Sequence, residues 1–383
     1  MKHCCASCET CARILTGWRL KGSGRATALR IGCVTWAWRH RRTCIITDEV
    51  PTLNASGAAS MDFPNAWATP KVSHTEKDWW VSAFYGFATV DNPEAVKTAM
   101  ADRLAGTRVY GSILVAPEGA NGTLCAPTQA LLADTLSALA DHIGLSAGFD
   151  PTWSRVDRPI FRKLKVQLKR EIVTIKNPSA SPLTGEGGEH LDAEAWNDLI
   201  QDPDTIIIDT RNSFETKVGT FPGAIDPGNL SFSEFPQFVR DQLKGQEDKK
   251  IAMFCTGGIR CEKATVFMKN QGFDNVFQLK GGILRYFQQT DDDSNLWEGD
   301  CYVFDDRVAL NKNMEPGGHI SCPVCRMPVA PDQFEHPKFK AGWSCPSCAD
   351  DPSYHRTRES SMERLKQILL AAKQGKRHLG PQE

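Results

Sequence analysis

The sequence predicts a multidomain protein with an α+β domain, an α/β domain and a cysteine-rich C-terminal region. Three observations support this fold class: a β-α-β-β-α-β order over residues 79–175, alternating helices and buried strands after residue 190, and two C-x2-C pairs after residue 320. At 383 residues the chain exceeds one ordinary domain. We therefore expect two folded domains, a linker and a smaller metal-binding region.

The first domain is expected over residues 78–176. A strand in "WWVSAFYGFATV" leads to the helix "PEAVKTAMADRLAGT", and two strands follow around the glycine-rich turn "EGANGT". A second helix, "PTQALLADTLSALADHIG", precedes a last strand in "FRKLKVQLKREIVTI". This order is that of a ferredoxin-like (acylphosphatase-like) domain. The turn itself needs no function beyond a hairpin with a positive φ at glycine.

The last predicted strand has one apolar face and one cationic face. Leu164, Val166 and Leu168 alternate with polar residues, so cations line the opposite face. Their density in a chain of formal charge -1 favours RNA binding, because phosphate contacts supply the sequence-independent part of affinity. The alternative is a solvated face whose lysines prevent edge pairing. The candidate RNA-binding residues are Arg162, Lys163, Lys165, Lys169 and Arg170.

Residues 177–190, "NPSASPLTGEGGEH", lack periodicity and predict a linker, and the second domain is expected over residues 191–292. Alternating strands and helices there imply a parallel sheet with functional loops at the carboxyl ends of its strands. Asp209 ends one strand and Cys255 follows another. We therefore expect Asp209 and Arg211 beside the thiol, with Glu215 not far away, and bracing of the turn is their favoured role.

The segment "CTGGIR" joins an apolar strand to a helix and predicts a reactive thiol. Gly257 and Gly258 allow successive N–H groups to point inward, and the helix N-terminus adds its positive end. With Arg260 close by, these donors are expected to lower the pKa of Cys255 and to make it a nucleophile. The alternative is an inert, buried structural cysteine.

Four cysteines form two C-x2-C pairs separated by nineteen residues, a spacing typical of one tetrahedral zinc. Because four thiolates leave no open ligand position, the metal is expected to be structural. The region, residues 293–383, ends with the amphipathic helix "SSMERLKQILLAAKQGKR". The predicted ligands are Cys322, Cys325, Cys345 and Cys348.

Residues 1–77 are expected to be a disordered extension, with Met61 as a candidate true start. Six of the fourteen cysteines lie before residue 45. Cys5, Cys8 and Cys11 have part of an iron–sulfur spacing, but the fourth cysteine followed by proline is missing. The sequence shows neither a secretory leader nor a membrane-length apolar run, so a cytoplasmic location without membrane partners is expected.

The loop from Cys255 to Arg260 resembles the C-x4-R active-site loop of rhodanese-like domains, in which the cysteine carries a persulfide sulfur. Over residues 78–375 the chain resembles the bacterial tRNA uridine hydroxylases of the rhodanese superfamily. The resembling blocks are "ILVAPEGANGT", "FRKLKVQLKREIVTI", "IDTRNSFETKVGTFPGAI", "AMFCTGGIRCEKAT", "LKGGIL", "LWEGDCYVFDDRVA" and the paired C-x2-C motifs.

The resemblance implies oxygen-dependent conversion of the wobble uridine of tRNA, position 34, to 5-hydroxyuridine. It implies a persulfide on Cys255, the tRNA anticodon loop as partner, a sulfur donor protein and dioxygen as co-substrate; it assigns no role to Cys261. We identify no organic cofactor, since the sequence lacks a dinucleotide fingerprint and a two-His-one-carboxylate set. A general sulfurtransferase and a non-enzymatic RNA-binding adaptor remain as alternatives.

Overall fold

The structure, a computed structural model, describes residues 79–374. The predictions for residues 1–77, including the disordered extension, the three cysteines with iron–sulfur spacing and the start at Met61, lie outside the described residues.

The first domain is a five-stranded sheet with two helices on one face. Its strand order is β4-β1-β3-β2-β5, and the helices bury Ile113, Leu124 and Leu132 against that face. The elements are β1 (Trp79–Phe87), α1 (Pro93–Leu104), β2 (Tyr110–Ala116), β3 (Gly119–Ala126), α2 (Gln129–Ile143), β4 (Thr152–Val156) and β5 (Leu164–Leu168).

We predicted that the cationic segment is the last strand of the ferredoxin-like unit, but the structure places a different strand there. That position belongs to β4, which pairs antiparallel with β1, whereas the cationic β5 pairs parallel with β2 at the opposite edge. The sequence pattern did not indicate β4, because "TWSRV" is short and its polar and apolar residues do not alternate. The prediction that this segment is the last strand of the unit was therefore wrong, but its extended conformation and its two faces are confirmed.

The hairpin between β2 and β3 requires a glycine at residue 119. Gly119 has a φ of +137°, and a Cβ there would lie 2.0 Å from the carbonyl oxygen of Gly86. Only a residue without a side chain allows β3 to approach β1 so closely at this point. The turn places Glu118 at the tip of the hairpin, where it becomes part of a contact described below.

The second domain contains a four-stranded parallel sheet of order β6-β10-β9-β7. One apolar cluster on the sheet includes Met253 and Phe267, and another includes Trp196 and Phe254. The elements are β6 (Glu189–Leu191), α3 (Ala193–Ile200), β7 (Thr205–Asp209), α4 (Ser213–Thr216), β8 (Gly219–Thr220), α5 (Phe235–Gln242), β9 (Lys250–Phe254), α6 (Ile259–Asn270), β10 (Val276–Leu279) and α7 (Gly282–Gln289).

The segment expected to be a linker is irregular but packed. Its last two residues begin strand β6, and Ala180 is only 1% exposed. A Cβ at Gly185 would lie 2.4 Å from the side chain of Val266 in α6. Glycine thus lets this segment lie flat on the helix, a contact that composition alone does not predict.

The C-terminal region consists of short hairpins and one long helix. Strand β11 pairs with β8 of the second domain. Across residues 79–374 no helix is both long and apolar enough to cross a membrane. The elements are β11 (Glu298–Gly299), β12 (Cys301–Tyr302), β13 (Ala309–Leu310), β14 (Ile320–Ser321), β15 (Pro328–Val329) and α8 (His355–Lys373).

Candidate active site at the Cys255 loop

The register of the parallel sheet brings Asp209 next to the start of the Cys255 loop. Asp209 is opposite Phe254, the last residue of β9, and the backbone N–H of Thr210 donates to the Phe254 carbonyl at 3.0 Å. Cys255 therefore lies at the carboxyl edge of the sheet, between β9 and the first turn of α6. This is the edge at which parallel sheets usually carry their functional loops.

The Cys255 thiol is surrounded by hydrogen-bond donors. Its side chain is fully buried, and the backbone N–H of Gly258 donates to its Sγ at 3.1 Å. Gly258 has a φ of 98° and caps α6. Burial by itself would raise the thiol pKa, but a hydrogen bond from Cys261, the charge of Arg260 and the N–H groups of Arg260 and Cys261 lower it to about 6.

Cys261 remains a neutral thiol on the inner side of the loop. Burial and the neighbouring Cys255 thiolate raise its pKa well above the usual value. Its Sγ lies 3.6 Å from the hydroxyl of Thr210, which in turn donates to the Phe254 carbonyl at 2.9 Å. Cys261 can therefore act as a hydrogen-bond donor to Cys255, a role that the sequence pattern did not indicate.

Arg260 is held by Glu215 in α4. The two guanidinium nitrogens donate to the two carboxylate oxygens at 2.6 and 2.8 Å, and both side chains are buried. Burial alone would raise the Glu215 pKa, yet the charges of Arg260 and Arg211 lower it. A bidentate pair of this kind fixes the plane of the guanidinium, so Glu215 positions the cation that lowers the Cys255 pKa.

Asp209 and Arg211 form a closed pair beneath the loop. The Arg211 guanidinium donates to both Asp209 carboxylate oxygens at 2.8 and 2.6 Å and to the Gly219 carbonyl at 2.6 Å. Its charge also lies 5.0 Å from the ring centroid of Trp297. Neither side chain is exposed, so this geometry corresponds to bracing rather than to contact with a substrate.

The start of α7 closes the other side of the loop through its backbone. The N–H groups of Ile283 and Leu284 donate to the carbonyls of Cys255 and Thr256 at 3.0 and 3.1 Å. A Cβ at Gly282 would lie 2.4 Å from the Cys255 carbonyl oxygen and 2.8 Å from the Gly257 nitrogen. This contact explains the second glycine in "LKGGIL", to which we had given no structural role.

The first domain reaches the loop through Tyr85 of β1. Its hydroxyl donates to Glu262 at 2.9 Å, and a Cβ at Gly258 would lie 2.8 Å from the same hydroxyl oxygen. Glu262 also accepts from Gln278 at 3.3 Å and pairs with His190 at 3.1 Å. Burial and the negative charge of Glu262 raise the Tyr85 pKa, so this group is a neutral donor. Sequence analysis missed this network.

Lys263 makes a second contact between the two domains. Its Nζ, almost fully buried, lies 2.8 Å from a carboxylate oxygen of Glu118 and 2.7 Å from one of Glu171. Glu118 comes from the hairpin tip of the first domain, and Glu171 follows β5. Glu262 and Lys263, the two residues after Cys261, thus connect the two domains next to the thiol. The sequence indicated this contact only indirectly, because the segments that contain Glu118, Glu171 and Lys263 all belong to the family resemblance.

The five candidate RNA-binding cations are all exposed, on or beside the edge strand β5. Register places Gln167 of β5 in one row with Leu114, Asn121 and Tyr85, on the face opposite the helices. Lys165 shares that face because it is two residues from Gln167. At about 4.8 Å per strand, β5 lies roughly 14 Å from β1, so the cations border the face that leads to the loop.

Cys322, Cys325, Cys345 and Cys348 come together as one cluster. Their Sγ atoms all lie within 4.8 Å of one another, with separations of 4.0, 3.5 and 3.8 Å between contacting pairs. A tetrahedral ion with Zn–S bonds of about 2.3 Å needs sulfurs about 3.8 Å apart. The donor set and its spacing therefore fit one structural metal ion with four thiolate ligands.

Comparison with known proteins identifies both domains and close relatives of the chain. The family described as UPF0176 acylphosphatase like domain matches residues 79–172, and the Rhodanese-like domain family matches residues 192–289. A protein of Agrobacterium fabrum named tRNA uridine(34) hydroxylase is 45% identical over 79% of this chain and 95% of its own length. Proteins of the same name from Mesorhizobium japonicum and Rhizobium leguminosarum bv. trifolii are 43% and 42% identical over 96% and 99% of their lengths.

Proposed function

The chain belongs to the family of the tRNA uridine(34) hydroxylases, and we propose that it is an enzyme that converts the wobble uridine of tRNA to 5-hydroxyuridine. The observation that carries the chemical part of the proposal is the stabilised Cys255 thiolate, whose pKa of about 6 leaves it ionised at neutral pH. A thiolate in this state is the form of cysteine that attacks sulfur.

In the first step, the Cys255 thiolate attacks the outer sulfur of a persulfide on a donor protein. The S–S bond of the donor breaks, the donor leaves as a thiolate, and Cys255 becomes the persulfide. Because Sγ is fully buried, the atom that meets the substrate is the outer sulfur, which stands about 2 Å further out. Gly258, Cys261 and Arg260 supply the hydrogen bonds and the charge that favour the anionic form.

In the second step, dioxygen provides the new hydroxyl oxygen. Insertion of one oxygen atom into the C5–H bond requires two electrons and two protons, because the other oxygen atom leaves as water. We propose that an external dithiol supplies these two electrons and two protons and leaves as a disulfide, with the persulfide as the redox group through which the electrons pass. The Cys261 thiol stays neutral and can donate a hydrogen bond to Cys255, while the neutral Tyr85 hydroxyl, which donates to Glu262, adds no negative charge near the loop.

The tRNA supplies an unpaired base and a charged backbone. Wobble bases lie in a single-stranded loop, where enzymes can turn a base out of the stack. We propose that Arg162, Lys163, Lys165, Lys169 and Arg170 contact phosphates while the uridine enters at the Cys255 loop. The four-cysteine cluster would hold a structural zinc that stabilises the C-terminal region. A tRNA substrate agrees with the expected cytoplasmic location.

The test is mass spectrometry of nucleosides from tRNA of cells that lack the gene, complemented with wild type, Cys255→Ser or Cys125→Ser. Cys125 is also fully buried but lies in the sheet of the first domain, so it is the matched control. We expect wild type and Cys125→Ser to restore 5-hydroxyuridine and Cys255→Ser to fail, since a hydroxyl cannot carry a sulfane sulfur.

A second arm uses purified protein and dioxygen labelled with heavy oxygen. The mass of the product nucleoside should rise by the isotope difference only when the label is in the gas and not in the water. An active Cys255→Ser protein would overturn the role of the thiol, and label entering from water would overturn the oxygen step. Sulfur transfer to cyanide without any change in tRNA would favour the general sulfurtransferase instead.

A further inference from the structure

The turn after β12 exposes an aromatic ring and buries an ion pair. Phe304 is 65% exposed, whereas Arg307 is only 8% exposed. The Arg307 guanidinium donates to both carboxylate oxygens of Asp305 at 2.8 and 2.7 Å and to the hydroxyl of Ser154 at 3.0 Å. An exposed apolar side chain is common on protein surfaces, so its neighbours must show whether this one has a role.

Phe304 is the outer member of a three-ring cluster, which we call the aromatic ledge and define as Phe214, Tyr302 and Phe304. Its ring centroid lies 5.1 Å from that of Tyr302 and 6.4 Å from that of Phe214, and the latter two are 5.2 Å apart. The rings meet nearly edge to face, at 85–90°. This packing orients the Phe304 ring while most of its surface stays in solvent.

The aromatic ledge is joined to the Cys255 loop at two points. Phe214 directly precedes Glu215, whose carboxylate binds Arg260 at 2.6 Å. Tyr302 directly follows Cys301, whose buried thiol lies near Thr256 of the loop. The ledge therefore borders the part of the loop that contains Thr256 and Arg260.

The same turn also leads to the cationic segment. The backbone N–H of Asp306 donates to the carbonyl of Ile160 at 3.4 Å, and Ile160 is two residues before Arg162. Two residues span at most about 7 Å, so the backbones of Phe304 and Arg162 lie within roughly 20 Å of each other. The ledge is thus close in the fold both to the reactive loop and to the first of the exposed cations.

We propose that the aromatic ledge, with Phe304 at its surface, is a stacking site for an unpaired nucleobase of the RNA next to the reacting uridine. This inference rests on the proposed function, because it gives the single-stranded substrate a second anchor. Flat aromatic rings bind bases of any identity through their faces, while nearby Lys and Arg bind phosphates. A single exposed ring close to both a reactive loop and a group of cations is the arrangement that a single-stranded RNA loop can contact through a base and its phosphates.

The first experiment measures binding of the full chain to an anticodon stem–loop RNA by fluorescence anisotropy. Phe304→Leu keeps an apolar side chain but removes the ring, Phe304→Trp restores a ring, and Leu370→Ala removes another exposed apolar side chain, 59% exposed, on α8. Loss of one stacked base should weaken binding by about 5- to 150-fold in Phe304→Leu. Phe304→Trp and Leu370→Ala should bind like wild type.

Two further readouts separate stacking from charge and from misfolding. A 2-aminopurine placed beside the uridine should lose fluorescence on binding to wild type and Phe304→Trp but not to Phe304→Leu. The dependence of affinity on salt should stay unchanged in Phe304→Leu, whereas Lys163→Gln should reduce the logarithmic slope by about 0.7 for a lost phosphate contact. Persulfide loading of Cys255, read by intact mass, should be equal in all variants.

Equal affinity and equal quenching in wild type and Phe304→Leu would overturn the stacking site. So would a change in self-association of Phe304→Leu, measured by light scattering, with RNA binding intact, because the ledge would then be a protein contact. If wild type binds the RNA through Phe304 yet forms no 5-hydroxyuridine, the stacking site stands and the proposed function fails. The two ideas can therefore fail separately.

Discussion

The chain has two cysteine sites that differ in what surrounds the sulfur. At the Cys255 loop, one thiol receives a hydrogen bond from Gly258 at 3.1 Å and lies near Arg260. In the C-terminal cluster, four sulfurs lie within 4.8 Å of one another. Cys255 and three of the four cluster cysteines are buried, yet we expect a reactive thiolate at the first site and thiolates that bind one dication at the second. The neighbours of a cysteine, rather than its burial, decide between nucleophile and ligand.

Metal removal should have the largest effect and should be confined to the cluster. Structural zinc sites contribute roughly 10 kcal/mol or more of apparent binding free energy, so chelation or Cys345→Ser should unfold residues 320–350. Limited proteolysis should then cut this region, while alkylation of Cys255 keeps its rate. Elemental analysis should find one zinc per chain. If residues 320–350 stayed protected from proteolysis in the metal-free protein, the assignment of a structural metal site to the four cysteines would be contradicted.

Glu215→Gln should produce the next largest effect, at the Cys255 loop. The change leaves the buried Arg260 without its counter-charge and should lower the free energy of unfolding by about 3 kcal/mol. It should also lower the Cys255 pKa further, because Arg260 is no longer neutralised. Thermal melting and thiol titration measure the two effects. Asp202→Asn, which breaks an exposed pair with Lys250, is the matched control and should leave both unchanged.

The pH dependence of alkylation should separate Cys255 from ordinary thiols. With a pKa of about 6, half of Cys255 is thiolate near pH 6, compared with roughly 0.3% for a thiol of pKa 8.5. Iodoacetamide labelling mapped by peptide mass should therefore rise with a midpoint near pH 6 at Cys255. A midpoint near 8.5 would contradict the hydrogen-bonded thiolate.

The same shift predicts a pH dependence of stability. The Cys255 pKa in the folded chain is below that in the unfolded chain, so ionisation stabilises the folded state. This contribution is fully present above the unfolded pKa, near 8.5, and is lost as the pH falls through about 6. Cys255→Ser should abolish this part of the pH profile of unfolding, and Cys125→Ser should not.

Tyr85→Phe should have the smallest effect. It removes a hydrogen bond to Glu262 and should cost about 1 kcal/mol of stability. Activity should fall while persulfide loading remains, because the hydroxyl lies over Gly258 on the side of the first domain. Tyr110→Phe, whose ring packs on Trp79 in the same sheet, is the control. If Tyr85→Phe were as active as Tyr110→Phe, the Tyr85 hydroxyl would have no role in the reaction.

Local sequence was sufficient to indicate the residues of both cysteine sites. The thiol, the two glycines and the arginine of "CTGGIR" lie within six residues, and each C-x2-C pair lies within four, so a single turn fixes their geometry. The two faces of β5 were also predictable, because alternation along a strand depends only on neighbouring residues. The fold class followed from the order of such local elements.

Tertiary structure decided which distant residues complete the site. Glu215 meets Arg260 across 45 residues and Tyr85 meets Glu262 across 177, and no local pattern specifies either pair. Tertiary structure also decided the positions of β4 and β5 at opposite edges of the first sheet, because β4 pairs with β1 and β5 pairs with β2. Turn and metal-ligand geometry are set by adjacent residues, whereas partners of buried charges are set by packing of whole elements, which a single sequence does not display.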